Sequence, residues 1–182
     1  MKHFLKAVCT LIAAALFTTA SAQSTGAYLK YDLNGKTISH KNAELNAYNK
    51  FEPETEDEKA GNDHVLYVSY EVKVPYKLDI IIHTPPHAAP AVGKLPYVQT
   101  VVPKDGPCPS VHFSMTKTVG EEFEFYGSED ATVGNFEITK VAAGWVEGKF
   151  DIELPRQYAT NGEVLHITNG TFRFKIDKEM KD

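Results

Sequence analysis

Between Gly134 and Ile176 apolar and polar side chains alternate with a period of two, as expected of strands with one dry and one wet face. In residues 145–154, Val146, Phe150, Ile152 and Leu154 share one parity, while Glu147, Lys149, Asp151 and Glu153 share the other. Pro155 has no N–H to give a ladder, so the strand is predicted to end there. Asn135-Phe136-Glu137-Ile138-Thr139 carries the same alternation, and Ala142-Ala143-Gly144 is short enough to close a hairpin between the two runs. Further on, Leu165 and Ile167 have one parity, whereas Phe172, Phe174 and Ile176 have the other, so the phase must reset between them. Asn169-Gly170 can do this as a type I′ turn, with Ile167 opposite Phe172, or as a one-residue bulge inside a longer strand. The turn is the expected form.

Upstream, residues 27–33 alternate, and Asn34-Gly35 is predicted to return the chain with Tyr31 opposite Ile38. Ala43, Leu45, Ala47 and Tyr48 suggest a short helix within 41–51. His64 to Val74 and Tyr76 to His83 read as two strands with Pro75 at the corner, and residues 111–116 and 122–126 add two more. The pattern predicts an all-β fold, an antiparallel β-sandwich or partly open barrel of about nine or ten strands. From Thr84 to Ser110 the texture changes, with seven of the chain's ten prolines. Prolines pre-set the backbone, so this long loop is expected to be ordered. It serves either to carry binding residues or to connect strands across one end of the sandwich.

The first residues change the compartment. Lys2 and Lys6 precede an apolar run from Ala7 to Phe17, and Ala20-Ser21-Ala22 follows, which is the layout of a secretory signal peptide over 1–22. Residues 23–182 are then a single all-β domain, exported to the periplasm or the extracellular space. No stretch is long enough for a transmembrane helix, which needs roughly 20 apolar residues. The formal charge is −5, and loss of the two leader lysines makes the remainder more acidic still. That balance argues against nucleic acid or an anionic membrane as partner. Cys9 leaves with the leader, so Cys108 has no intramolecular disulfide partner and is expected to serve as a small hydrophobe.

Candidate chemistry is sparse. Cys108-Pro109-Ser110-Val111-His112-Phe113-Ser114-Met115 resembles the copper loop of the cupredoxins, where a thiolate, an imidazole and a weak axial thioether bind the metal with a second histidine from an earlier strand. The resemblance implies a copper or zinc site of Cys108, His112 and Met115 with His64, His83 or His87 upstream. Strand alternation, however, sends His112 and Met115 to opposite faces. His83 and His87 with Cys108 and His112 would offer four nitrogen and sulfur ligands. The acidic run Glu52 to Glu58 has the oxygens of a calcium site without the ordered spacing of a dedicated loop. No nucleophile elbow, His-Glu-x-x-His or phosphate loop occurs, and no catalytic residue is assigned.

The segments GNFEITK, GWVEGKFDIEL and VLHITNGTFRFKI resemble a recurring ending of small exported bacterial β-domains, often lipoproteins, especially of Bacteroidetes, and Asn34-Gly35-Lys36 is a fainter echo of it. The resemblance implies export and an all-β fold and carries over no functional residue. The expected role is that of a non-catalytic module binding a small molecule, glycan or protein partner through the 84–110 loop and one end of the sheets. His83, His87, Tyr97 and Trp145 are its candidate ligand-binding residues, and no cofactor is required. The alternative is the copper or zinc protein described above.

Overall fold

A computed structural model describes residues 26–41, 46–48, 64–70, 76–85, 88–99, 107–160 and 162–176. The leader, the acidic run 52–58 and His87 lie outside these. Among the described residues eleven strands occur: β1 (Tyr28–Leu33), β2 (Lys36–Lys41), β3 (Asn46–Tyr48), β4 (His64–Tyr70), β5 (Tyr76–Thr84), β6 (Gly93–Leu95), β7 (Ser110–Val119), β8 (Glu122–Gly127), β9 (Gly134–Ala142), β10 (Trp145–Pro155) and β11 (Val164–Lys175). They form two antiparallel sheets that do not close. One runs β2-β1-β11-β10-β9-β6; the other is built on β5-β7-β8 and continues through β4 to β3. The all-β sandwich expected from the alternation is therefore observed. The helix expected within 41–51 is not, since 46–48 pair with β4 as a strand.

Local sequence explains the short turns. Asn34 and Gly35 take φ of 47° and 81°, and Tyr31 pairs with Ile38 as the two-residue turn requires. Ala143 and Gly144 take φ of 51° and 78° and close the β9–β10 hairpin between Ala142 and Trp145. At Asn169-Gly170 the expectation is corrected: the chain makes a bulge, and β11 runs unbroken from Val164 to Lys175. Its register slips against both neighbours, β1 between Lys30 and Asp32 and β10 between Phe150 and Ile152. A turn here would have broken two ladders at once, whereas a bulge with Asn169 at φ 54° keeps both. Either form sends Leu165, Ile167, Phe172 and Phe174 inward, which is why parity alone did not choose between them.

The inward faces of both sheets share one apolar interior. Its centre is a set of phenyl rings: Phe172 stacks between Phe136 at 5.2 Å and Phe174 at 5.1 Å, and Phe113 reaches across from the other sheet to Phe150 at 5.1 Å. Two glycines make room for the rings. Gly148 pairs with Phe172 and Gly170 with Phe150, so each ring lies over the glycine of the neighbouring strand. A Cβ on Gly170 would stand 2.6 Å from the Phe150 ring, and one on Gly148 would collide with Phe172 Cζ. Where β8 is bridged to the chain after β10, Glu124 lies between Lys117 at 2.8 Å and Arg156 at 3.0 Å, and Tyr126 donates its hydroxyl to the same carboxylate. The Lys117 ammonium holds the Glu124 carboxyl below its ordinary range.

The proline-rich stretch leaves the second sheet at Thr84, adds β6 to the edge of the first beside β9, and returns to the second at Ser110. It is a crossing between sheets, and Leu95, Tyr97 and Val98 are buried along it.

Gly148→Ala or Gly170→Ala is expected to cost about 1–3 kcal/mol by overpacking against a phenyl ring. Urea unfolding would show this as a lower midpoint at unchanged slope. A neutral Gly170→Ala would mean that both the Phe150 ring and its backbone carbonyl, each 2.6 Å from the added Cβ, are free to move aside.

Candidate functional site

The outer face of the six-stranded sheet holds a recess of about 570 Å³ lined by Lys94, Asn135, Glu137, Lys149, Asp151, Asn169, Gly170 and Thr171, with Phe150 at its floor. Strand pairing brings these residues together. Glu137 lies opposite Lys94 on one side and Lys149 on the other, Asn135 lies opposite Asp151, and Lys149 lies opposite Thr171. Lys149 and Glu137 form an ion pair at 3.0 Å, and the Asn135 amide donates to the Asp151 carboxylate at 3.4 Å. The Asn169 amide donates to Asp32 at 2.9 Å. Hydrogen bonds from Thr37 first and Asn169 second hold the Asp32 carboxyl below its usual range. The recess thus presents amide, carboxylate, hydroxyl and ammonium groups on a rigid sheet, an arrangement able to exchange several hydrogen bonds with a polar ligand.

The proline-rich crossing supports this floor. Tyr97 is buried against Phe136, edge to face at 6.4 Å, and its hydroxyl donates to the backbone carbonyls of Asn135 at 3.2 Å and Asp151 at 3.0 Å. Burial, with Asp151 nearby, pushes the phenol pKa far up, so Tyr97 stays a neutral donor. Among the expected ligand-binding residues that are described it is therefore the one attached to the recess, and it acts from below through main-chain oxygens. Lys94, three residues earlier, reaches the recess directly.

The other expected residues that the structure describes lie elsewhere. His83 and His112 face outward from the second sheet yet are buried at 0 % and 8 % exposure. His83 Nδ1 lies 3.0 Å from Ser110 Oγ, and His112 Nδ1 lies 3.2 Å from the Val98 carbonyl. Ser128 donates to the same carbonyl at 2.7 Å and accepts from the Phe113 N–H at 3.0 Å. Val98 N to Val111 O and Val111 N to Pro96 O complete the lacing of residues 96–98 onto β7. Desolvation pushes the His112 pKa below its ordinary 6.5, against smaller opposing effects of the Val98 and Gln99 backbone and of Asp79.

Met115 is in the core at 1 % exposure, on the face of β7 away from His112, so the pleat separates two members of the cupredoxin-like set. Cys108 is a half-buried free thiol whose pKa is raised by burial, unlike an activated thiolate. His64 lies on β4 opposite Thr84. Among the described residues no group of three or more His, Cys, Asp or Glu side chains is gathered for a metal. Trp145 sits on the outer face with the Arg173 guanidinium 3.6 Å over its ring, and Arg173 Nε donates to Glu147 at 3.2 Å. The indole therefore covers an ion pair.

Comparison of the chain with protein-family models, with curated proteins and with solved structures finds no match. No helix among the described residues is long and apolar enough to cross a membrane. Sequence reasoning missed Lys94, Asn135, Asn169 and Thr171 as a group. The alternation of residues 135–139 was legible, but Lys94 fell in a stretch read as loop and Asn169 in one read as a turn, and nothing in the sequence announced that β6 would dock beside β9.

Two measurements test the supports of the site. Tyr97→Phe leaves two carbonyls without their donor and is expected to cost about 1 kcal/mol, with faster amide exchange at residues 134–136 and 150–152. Unchanged exchange there would show that the hydroxyl does not hold the floor. For His112 the unfolded chain takes up its proton first, so stability is full above pH 6.5 and falls as the pH drops through and below that value. Urea midpoints from pH 7.5 to 5 should fall less steeply in His112→Gln than in the parent; equal slopes would discount the imidazole.

Proposed function

We propose that this chain is an exported, non-catalytic binding module whose outer-face recess takes a hydroxyl-rich ligand, a glycan. The observation that carries the reading is the convergence of Asn135, Asp151, Asn169 and Thr171 from three paired strands on one concavity bordered by Lys94. Planar amides and carboxylates match the paired hydroxyls of a sugar, and their placement on strands rather than loops keeps the cost of ordering them low. Export is supported by the leader-like residues 1–22. The proline-rich stretch contributes Lys94 to the rim and places Tyr97 beneath the floor.

Isothermal titration against a set of oligosaccharides tests this directly. Asp151→Ala is expected to weaken a bound glycan by about tenfold, the loss of one or two hydrogen bonds to a charged acceptor, with the melting temperature little changed. Retained affinity in both Asp151→Ala and Asn135→Ala would remove the recess from the account.

A second reading, transition-metal binding, draws on a different observation. His83 and His112 stand diagonally on adjacent strands of one face, since Ile81 pairs with His112 and His83 with Ser110. An imidazole that donates Nδ1–H to a carbonyl, as His112 can to Val98, has the tautomer suited to ligation through Nε2. Elemental analysis of protein purified without chelator decides it: stoichiometric copper or zinc that is lost in His112→Gln supports the reading, and metal-free protein ends it.

A further inference from the structure

The register of the six-stranded sheet lays one row of outward side chains across the strands: Lys94, Glu137, Lys149, Thr171, Lys30 and Ser39. Glu137 is engaged by Lys149, so the row carries a net positive charge within an acidic chain. Lys94 and Lys30 are both exposed, and Lys30 attracts the Asp32 carboxylate on its own strand. The three lysines occupy alternate strands and are therefore about 10 Å apart, two strand spacings. In the neighbouring row stand Asp151 and Asp32, each held by an asparagine amide. Cations and hydrogen-bonding acids are thus sorted into two parallel lines.

Resting on the glycan reading of the recess, we infer that the ligand is a linear acidic glycan that runs across the strands, with its anionic groups on the lysine row and its hydroxyls on the Asn135–Asp151 row. A separation of two strand spacings is of the order of a disaccharide unit, so successive lysines can meet anionic groups that recur along such a chain. A neutral glycan would leave the Lys94 ammonium unused and Lys30 facing Asp32 alone, and a compact anion would meet one lysine at a time. The acids of the second row repel an anion placed on them, which fixes which edge of the sugar ring faces which row.

The test pairs each acidic oligosaccharide with its charge-free form: oligogalacturonate and hyaluronan oligosaccharides with their methyl esters, and a sulfated galactan with its desulfated form. Calorimetry at low ionic strength is expected to show a roughly three- to tenfold preference for the charged member of at least one pair, the scale of two exposed ion pairs. The preference should shrink toward unity in 0.5 M salt, as screening at that strength requires. Whether the carboxylated or the sulfated member binds identifies the anion. The Lys30→Gln variant, at an exposed position outside the recess lining, should reduce the preference and keep the affinity for the neutral form, the Lys94→Gln/Lys30→Gln double variant should lose the preference, and unchanged melting checks folding in both. Equal binding of charged and neutral members overturns the lysine row and leaves the recess reading intact. Binding to none of them overturns this inference, and if Asp151→Ala also changes no other glycan's affinity the recess reading falls separately.

Discussion

The structure depends on phenyl rings laid over glycines at the middle of the six-stranded sheet. Phe150 covers Gly170 and Phe172 covers Gly148, each across one strand boundary, while the rings stack on Phe136 and Phe174 and meet Phe113 from the opposite sheet. A strand glycine is ordinarily a weak point, because it has no side chain to pack and much backbone entropy to lose. Here the ring supplies the missing contacts, and the glycine lets it approach the backbone, so the two features stabilise each other and pin the register of β10 against β11.

That pinned register is what makes the outer face usable. Once Gly148 and Gly170 are fixed opposite their rings, Lys149 falls opposite Thr171, and the bulge at Asn169 follows within two residues. The bulge turns the Asn169 amide to Asp32 and helps shape the recess. A slip of one residue would send the phenyl rings to water and the lysines inward. Interior packing and outer-face chemistry are therefore two consequences of one alignment, reinforced by Tyr97, which packs on Phe136 and bonds the carbonyls beneath Asn135 and Asp151.

The second sheet handles its outward face differently. Beside residues 96–98, which pair with β7, His83, Ser110 and His112 are buried, His83 against Ser110 and His112 at the Val98 carbonyl. Farther along, Phe123 and Phe125 of β8 stand 60 % and 47 % exposed. Buried polar groups without partners would be costly, and the Val98 carbonyl, accepting from Ser128 and within reach of His112, is the point where the crossing segment meets that demand. The same segment thus anchors to β7 through hydrogen bonds and to β9 and β10 through Tyr97, tying the two sheets together.

By itself the sequence determined the all-β class, the inward parity of Val146, Phe150, Ile152, Leu154, Leu165, Ile167, Phe172 and Phe174, the turn at Asn34-Gly35 and a hairpin closed within Ala142-Ala143-Gly144, because strand parity and turn residues are local properties of the chain. It also marked Glu147, Lys149 and Asp151 as wet and separated His112 from Met115. Only the tertiary structure decided between turn and bulge at Asn169-Gly170, since both give the same parity and the choice rests on β1 and β10 flanking β11 on either side. Only the tertiary structure, too, set Lys94 beside Glu137, brought His83 to Ser110 and His112 to the Val98 carbonyl, and laid Arg173 on Trp145. Those relations join strands far apart in the chain, and cross-strand alignment is fixed by long-range packing, which no local pattern encodes.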